Sequence, residues 1–181
     1  MNNLNAQKST LKLAKMSILV AISLVLVAII HIPIFPVVSF LQYDPADVSI
    51  LMGAFAFGPV AGLLMTAIVS LIQAYAISGD GVYGFLMHFI ATGAFVLVAG
   101  TIYHFMKTKK GAVVSLVCGT VTMVLAMYFA NLVITPFYTG WPVDAVKEVM
   151  PYILAFNFVK AGLNSVITFV LYKRVSGFLH R

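Results

Sequence analysis

The sequence predicts an all-α integral membrane protein with six transmembrane helices and both termini on the cytoplasmic side. Of the 181 residues, 62% are hydrophobic and only 9% are charged, and the mean hydropathy is +1.05. A soluble domain carries about 25% charged residues, so this surface is suited to lipid rather than to water. The apolar residues also fall into long runs, and the basic residues collect on one side of the topology that these runs define.

The same composition excludes several classes of protein. Too few residues are charged for a soluble enzyme or a disordered tail, and the single cysteine, Cys118, excludes an intrachain disulfide scaffold. The net charge is +6 and the pI is about 9.5, but a chain with so little polar surface has no basic patch suited to nucleic acid. The basic residues are therefore interpreted as markers of the cytoplasmic side.

The apolar runs divide one domain, residues 1–181, into helices that end at proline, glycine or lysine. Lys8 and Lys12 precede the first run as in a signal peptide. No small-x-small cleavage site follows, so a helix of the mature protein is predicted. An apolar outer loop, 33–45, follows this helix and is expected to fold back onto the rest of the chain. The predicted helices are 11–32, 46–57, 60–77, 82–106, 112–135 and 151–175.

The second helix begins with two aspartates and is short. Asp44 fits the N-cap, Pro45 the first helical position, and Asp47 the N3 position, where a carboxylate stabilises the helix N-terminus. At about 10–14 residues and 1.5 Å per residue, this helix cannot cross ~30 Å of hydrocarbon alone.

The basic residues set the predicted orientation. With a cytoplasmic N-terminus, Lys147 lies outside and Lys160 lies within a helix, while the other nine of the eleven Lys and Arg residues lie inside. All five acids then fall on the outer side, so we expect no intramembrane carboxylate relay for proton or sodium coupling. The inner set is Lys8, Lys12, Lys15, Lys107, Lys109, Lys110, Lys173, Arg174 and Arg181.

Several catalytic and cofactor motifs are absent from the sequence. It contains no G-x-x-x-x-G-K-[ST], no H-E-x-x-H, no Cys/His pair at metal-binding spacing and no G-x-S-x-G. We therefore expect no metal or resident cofactor. If the chain moves a solute uphill, the energy must come from a partner.

Lys160 is the most informative polar residue. It follows Pro151 by nine residues, at about 13 Å into the helix, where an unpaired lysine costs on the order of 3 kcal/mol. Asn157 and Asn164 share its helix face at i, i+3 and i+7. This cluster indicates a pocket for a polar organic solute. The alternatives are a lysine bonded to backbone carbonyls and asparagines that hydrogen-bond between helices.

Other candidate residues surround this cluster. Asn131 lies at a similar depth in the fifth helix, and Tyr43 is one of several aromatic residues that either form an interface belt or wall a planar ligand. Asp47 is a candidate substrate ligand besides its place at the helix start. His88 is interpreted as a hydrogen-bonded core histidine, with ligand contact as the alternative.

The first helix carries a stripe of small residues. Ala14, Ala21 and Ala28 recur every seven residues, and Ser17 precedes Ala21 by four. Such a stripe lets another helix approach closely. It is suited either to packing within this bundle or to docking on a separate membrane subunit.

At these residues the chain resembles the substrate-binding S components of energy-coupling factor (ECF) vitamin transporters, most closely the riboflavin-specific ones. The resemblance is strongest in 41–62, 81–103 and 156–174, and it spans nearly the whole chain. It implies that Asn157 and Lys160 form the Asn-x-x-Lys of a flavin site, and that Asn131 matches a binding asparagine. It also implies docking through the small-x-x-x-small contact at Ser17 and Ala21, where this chain has Ser instead of the commoner Ala.

The resemblance further implies a function. The chain is expected to capture riboflavin, without covalent chemistry, in the plasma membrane of a bacterium, together with one membrane coupling subunit and two ATPase subunits. The alternatives are an S component for another vitamin or for a flavin nucleotide (FMN or FAD), and a small membrane enzyme or redox subunit built around His88 and Lys160. The candidate substrate-binding residues are Tyr43, Asp47, Asn131, Asn157, Lys160 and Asn164, and the candidate docking residues are Ser17 and Ala21.

Overall fold

Helices account for nearly all of the chain in the computed structural model, which describes the backbone of residues 2–180 and the side chains of residues 7–174. Over that range the chain has the six helices that the sequence predicts, together with a short two-stranded ribbon. Arg181, one of the predicted inner basic residues, lies outside the described residues. The elements are α1 (Asn2–Ile29), β1 (Ile32–Pro33), a 3₁₀ turn (Pro36–Val38), β2 (Gln42–Tyr43), α2 (Ala46–Phe57), α3 (Pro59–Ile72), a π-helical turn (Gln73–Ile77), α4 (Gly81–Phe105), α5 (Lys109–Thr139) and α6 (Val143–His180).

The short helix α2 is the centre of the bundle. Among the described residues, five helices are long and apolar enough to cross a membrane. The helix α2 has only 12 residues, in agreement with the short second helix predicted from the sequence. Its residues from Ala46 to Phe55 are all buried, and it packs against α1, α3, α4 and α6. A helix that is hydrophobic on nearly every side is buried either in a protein core or in a membrane. α2 is buried against four other helices, so it does not have to be long enough to span the bilayer.

Two prolines that were predicted to mark helix boundaries, Pro136 as the end of one helix and Pro151 as the start of the next, lie inside helices. α5 continues through Pro136 to Thr139, and α6 begins at Val143 and continues through Pro151. The predicted boundaries at 135 and 151 are therefore wrong. A proline removes one backbone hydrogen bond, but membrane helices tolerate this because neighbouring groups satisfy the freed carbonyl. As a result only residues 140–142 connect α5 to α6, and Lys160 lies 17 residues into α6.

The apolar loop after α1 packs onto the N-terminal part of α6. β1 pairs antiparallel with β2, with Ile32 opposite Tyr43. Because the chain enters this strand, α1 ends at Ile29, three residues before its predicted boundary at 32. Between the strands, the 3₁₀ turn places Val38 in a separate apolar cluster. This cluster, called the loop cluster below, consists of Val38, Val146, Met150 and Ile153. It accounts for the unusual hydrophobicity of the loop.

Three aromatic rings pack against one another at the opposite end of the bundle. Phe55, Tyr103 and Tyr172 lie near the ends of α2, α4 and α6 that point away from the loop. Phe55 and Tyr103 are stacked with ring centroids 4.2 Å apart, and Tyr172 meets both rings edge-on at 5.3 and 5.5 Å. We call this group the aromatic plug.

Gly119 is one of the glycines at which helices pack closely in the core. A Cβ placed on Gly119 of α5 would lie 2.5 Å from Cδ2 of Phe95 on α4, and Phe95 is fully buried. Small residues at such points allow membrane helices to pack closely. The contact holds α4 and α5 together beside the cavity described next.

Candidate functional site

A cavity of about 430 Å³ opens at the loop end of the bundle. Its walls come from the loop before α2, the π-helical turn, the first half of α4, α5, and the middle of α6. The apolar part of the wall includes Phe40, Leu41, Met87, Ala91, Met123, Met127, Ile134 and Phe156. The polar and charged part includes His31, Gln42, Asp44, Gln73, Asp80, His88, Asn157 and Lys160. The site is thus one chamber with both apolar and polar walls.

An ion pair forms part of this wall. Nζ of Lys160 lies 2.7 Å from Oδ2 of Asp44, and the two residues are 6% and 2% exposed. Oδ1 of Asp44 accepts a hydrogen bond from the Ala46 backbone N–H at 3.1 Å. The ion pair explains how a lysine is accommodated inside the bundle, since buried charges require paired and hydrogen-bonded partners.

The buried carboxylates correct two expectations from the sequence. Asp44 and Asp47 lie inside the bundle rather than at its outer surface, so the expectation that all five acids fall on the outer side is wrong for these two. The capping assignment shifts as well, because Pro45 is the N-cap of α2 and Asp47 is its second residue, not N3. Both corrections have one cause. α2 is buried from its first residue, so the acids at its start enter the interior with it.

A second set of hydrogen bonds ties the start of α2 to α4 and α6. Thr92 Oγ1 donates to Asp47 Oδ1 at 2.7 Å, and Asn164 Nδ2 donates to Asp47 Oδ2 at 3.0 Å. The same Asn164 amide nitrogen lies 3.3 Å from the Asp44 carbonyl, and Asn164 Oδ1 accepts from the Tyr43 hydroxyl at 3.1 Å. Burial, followed by the nearby Asp44 carboxylate, raises the pKa of Tyr43, which keeps its hydroxyl a neutral donor. Asn164 therefore anchors the base of the loop.

The structure separates the six predicted binding residues into two groups. Asn157 and Lys160 line the cavity. Tyr43, Asp47, Asn131 and Asn164 are not among the residues of its wall, and the last three of these are fully buried. Asn131 bonds within its own helix, donating to the Met127 carbonyl and accepting from Thr135, both at 2.8 Å. A direct ligand contact for these four residues stays a prediction.

Sequence reasoning missed other polar residues of the wall, including His31 and Gln73. Among the described side chains, His31 Nε2, Gln73 Oε1 and His88 Nε2 are buried without a hydrogen-bond partner, and all three residues line the cavity. Unpaired buried polar atoms cost about 1–3 kcal/mol each, so atoms of this kind commonly mark a functional site. His88 is hydrogen-bonded, as predicted, through Nδ1 to Ser70 Oγ at 2.7 Å. It also faces the cavity, so the two interpretations from the sequence are compatible.

The π-helical turn gives Gln73 its position. It widens the last turn of α3 over Gln73–Ile77, and Gln73, Ile77 and Ser78 all line the cavity. π-helical turns occur frequently at functional sites. In the sequence, Gln73 is distinguished only by being a polar residue inside an apolar run, and this feature alone does not indicate a binding site.

The small-residue stripe of α1 lies on the outside of the bundle. Ala14, Ser17, Ala21 and Ala28 are all exposed. Packing within the bundle therefore does not account for the stripe, which remains available to another helix. Elsewhere, the described residues contain no group of three or more His, Cys, Asp or Glu side chains that could hold a metal ion.

Comparison with known proteins identifies relatives of the same size. The riboflavin transporter RibU of Staphylococcus aureus (strain TCH60) is 31% identical over 190 residues, which cover 98% of this chain and 96% of the relative. The riboflavin transporter FmnP of Bacillus subtilis (strain 168) is 30% identical over 181 residues, which cover 94% of both chains.

The fold also matches a solved structure, that of the S component of a bacterial ECF transporter. The TM-score is 0.82 at 31% identity, over 96% of this chain and 99% of the other. A family model described as the substrate-specific component of ECF transporters matches residues 11–172. The membrane-length helices and the transporter family make this a multi-pass protein of the bacterial plasma membrane. On these grounds the chain belongs to the substrate-specific (S) components of ECF transporters.

Proposed function

We propose that this chain is the substrate-capture subunit of an ATP-driven vitamin transporter and that it binds riboflavin in the cavity at the loop end. The observation that carries the proposal is the cavity itself. Its volume of about 430 Å³ lies within the ~300–1,000 Å³ usual for small-molecule sites. Its wall also holds three buried polar atoms that make no hydrogen bond among the described residues, of which one, His88 Nε2, lies 3.6 Å from Asp47 Oδ1.

The composition of the wall supports riboflavin as the ligand. Riboflavin combines a flat tricyclic ring, with polar groups along one edge, and a ribityl chain of hydroxyls. The apolar residues of α4, α5 and α6 are suited to the faces of the ring, while Lys160, Asn157, Gln73 and His88 offer donors and acceptors. The two relatives at about 30% identity are named riboflavin transporters. This supports the same ligand here.

The charges of the cavity favour riboflavin over a flavin nucleotide. The charged side chains of the wall are Asp44, Asp80 and Lys160, and the lysine is already paired with Asp44. A phosphate would add about −1.5 to −2 charges beside two carboxylates. Like charges in a poorly hydrated site repel strongly, so FMN and FAD are expected to bind more weakly than riboflavin.

The proposed transport cycle has three steps. The cavity captures riboflavin from outside, the loop 33–45 closes over it, and an ATP-driven partner reorients the bundle to release it inside. The chain performs no covalent chemistry and needs no resident cofactor. Its sequence has no P-loop, so ATP is hydrolysed by separate subunits that act through a membrane coupling subunit. The exposed stripe at Ser17 and Ala21 is the proposed docking surface for that subunit.

Riboflavin titration of the detergent-purified chain tests this function, with quenching of flavin fluorescence as the signal. Asn157→Ala and Lys160→Ala each remove a polar group of the wall, at about 1–3 kcal/mol per lost contact. Affinity should therefore fall roughly 5- to 150-fold. Thr168→Val is the matched control, since Thr168 is buried on the same helix but lies outside the cavity wall.

Two results would contradict the proposal. The first is a wild-type chain that neither binds added riboflavin nor contains flavin after purification. The second is unchanged riboflavin affinity in both Asn157→Ala and Lys160→Ala. In contrast, turnover of a substrate by the isolated chain would favour the membrane enzyme alternative.

A further inference from the structure

A second concave surface lies on the outside of the bundle, between α1, α2 and α6. It encloses about 400 Å³ and is separate from the riboflavin cavity, with which it shares no wall residue. Nearly all of its wall is apolar. We call it the α1–α6 groove, and it is lined by Lys15, Ile18, Leu19, Ile22, Leu26, Pro45, Val48, Ser49, Met52, Ile167 and Leu171.

The shape of the groove is suited to a hydrocarbon chain. Along α1 it extends from Lys15 to Leu26, which is about 16 Å at 1.5 Å per residue. Half of a ~30 Å hydrocarbon core is one leaflet, so the groove has the depth of a single leaflet. Within a bilayer, an apolar groove of this kind is filled by acyl chains, because the surrounding lipid is its natural solvent.

Basic residues stand at one end of the groove. Lys8, Lys12 and Lys15 occur at i, i+4 and i+7 on α1, and the same helix face continues into the groove through Ile22 and Leu26. On α6, Arg174 follows the groove residue Ile167 at i+7 and the groove residue Leu171 at i+3. Lys8, Lys12 and Arg174 are exposed.

No acidic residue balances these charges. Asp44 and Asp47 are buried in the interior, Asp80 precedes α4, and Asp144 and Glu148 lie in the first turns of α6, at the other end of that helix. The mouth of the groove therefore attracts an anion at the depth where the head groups of one leaflet lie.

The groove is distinct from the docking stripe. At 100° per residue, the average direction of Ala14, Ser17, Ala21 and Ala28 around α1 is about 120° from that of the groove residues. The stripe and the groove therefore lie on different faces of α1. We propose that the α1–α6 groove holds an acyl chain of one anionic phospholipid, whose head group is bound by Lys8, Lys12 and Arg174.

The test compares phosphatidylglycerol with phosphatidylcholine of the same acyl chains. Native mass spectrometry of the full chain in detergent counts bound lipid, and titration gives the two affinities. One phosphatidylglycerol should be retained more tightly than phosphatidylcholine. Removing the three charges together (K8Q/K12Q/R174Q) should weaken phosphatidylglycerol binding roughly 100-fold, at about fivefold for each head-group contact. Filling the groove with I22W should remove the bound lipid of either type.

The matched control is K107Q/K109Q/K110Q, which removes the same charge beside the α4–α5 turn, where the groove has no wall residue. It should leave phosphatidylglycerol affinity unchanged. Equal retention of the two lipids by the wild-type chain would overturn the proposal. So would an equal loss in the control variant, which would indicate general charge attraction. Retention of the lipid by I22W with loss of assembly with the coupling subunit would assign the groove to the partner instead.

Discussion

Neutralising Asp44 should destabilise the protein far more than its position at the edge of a loop suggests. In Asp44→Asn the side chain keeps its shape and its acceptor for the Ala46 N–H, but it loses the charge opposite Lys160. The ammonium group, which is 6% exposed, then has no carboxylate at 2.7 Å. The variant therefore isolates the consequence of an unpaired cation inside the bundle.

The expected size follows from this burial. Removing one partner of a buried ion pair costs about 3–5 kcal/mol, whereas replacing both partners by neutral groups is often close to neutral. For a chain of this length, that single loss corresponds to a decrease in Tm of roughly 6–20 °C. Lys160→Met should be destabilising to a similar degree, and the double variant should recover most of the loss. The sequence alone supports the opposite expectation for Lys160, because removing an unpaired buried lysine would raise the stability of the protein.

The assay is thermal unfolding of the four proteins in one detergent, without ligand. The exposed pair Asp144–Lys147 supplies the control, since its atoms are 2.9 Å apart but its side chains are 89% and 60% exposed. Asp144→Asn should leave the Tm unchanged, because an exposed ion pair contributes little. The reasoning is refuted if Asp44→Asn is as stable as the wild type, or if the double variant loses the sum of the two single losses.

Three further predictions concern topology, docking and packing. In a chain whose native cysteine is replaced (Cys118→Ala), a cysteine at Lys109 should be labelled only from the cytoplasm and one at Asp80 only from outside; labelling of both from one side would contradict the orientation. Ser17→Trp or Ala21→Trp should abolish uptake but not riboflavin binding. The control Val117→Trp, on the exposed face of α5, should leave both uptake and binding intact. Uptake by both stripe variants would place docking elsewhere. Gly119→Ala should lower stability by about 1–3 kcal/mol in thermal unfolding, because its Cβ would meet Phe95; no change would show that α4 and α5 separate easily.

Most of the fold could be predicted because it depends on composition. Long apolar runs determine which segments become helices, and the predicted bounds 46–57 agree with α2. The errors at Pro136 and Pro151 have a physical cause. The rule that proline marks a helix boundary comes from helices in water, whereas packed helices in a membrane supply other partners to the freed carbonyl.

The site was predictable only in part, because its residues come together from distant positions. Lys160 could be identified from local sequence, since a lysine inside an apolar run is costly anywhere. Its partner Asp44 is 116 residues away in sequence, and only the burial of α2 brings the two together. Gln73 depends on a local change of helix type, which leaves no recognisable pattern in the sequence.

The aromatic plug has a consequence for the energetics of uptake. Phe55, Tyr103 and Tyr172 pack against one another at the end of the bundle opposite the cavity, and none of them lines the cavity. In the proposed cycle the bundle turns with its cargo instead of opening at this end, which moves lipid-facing surface through the bilayer. The rate of uptake should then depend on bilayer thickness through hydrophobic mismatch. The affinity for the vitamin should not depend on bilayer thickness, because binding involves no such movement.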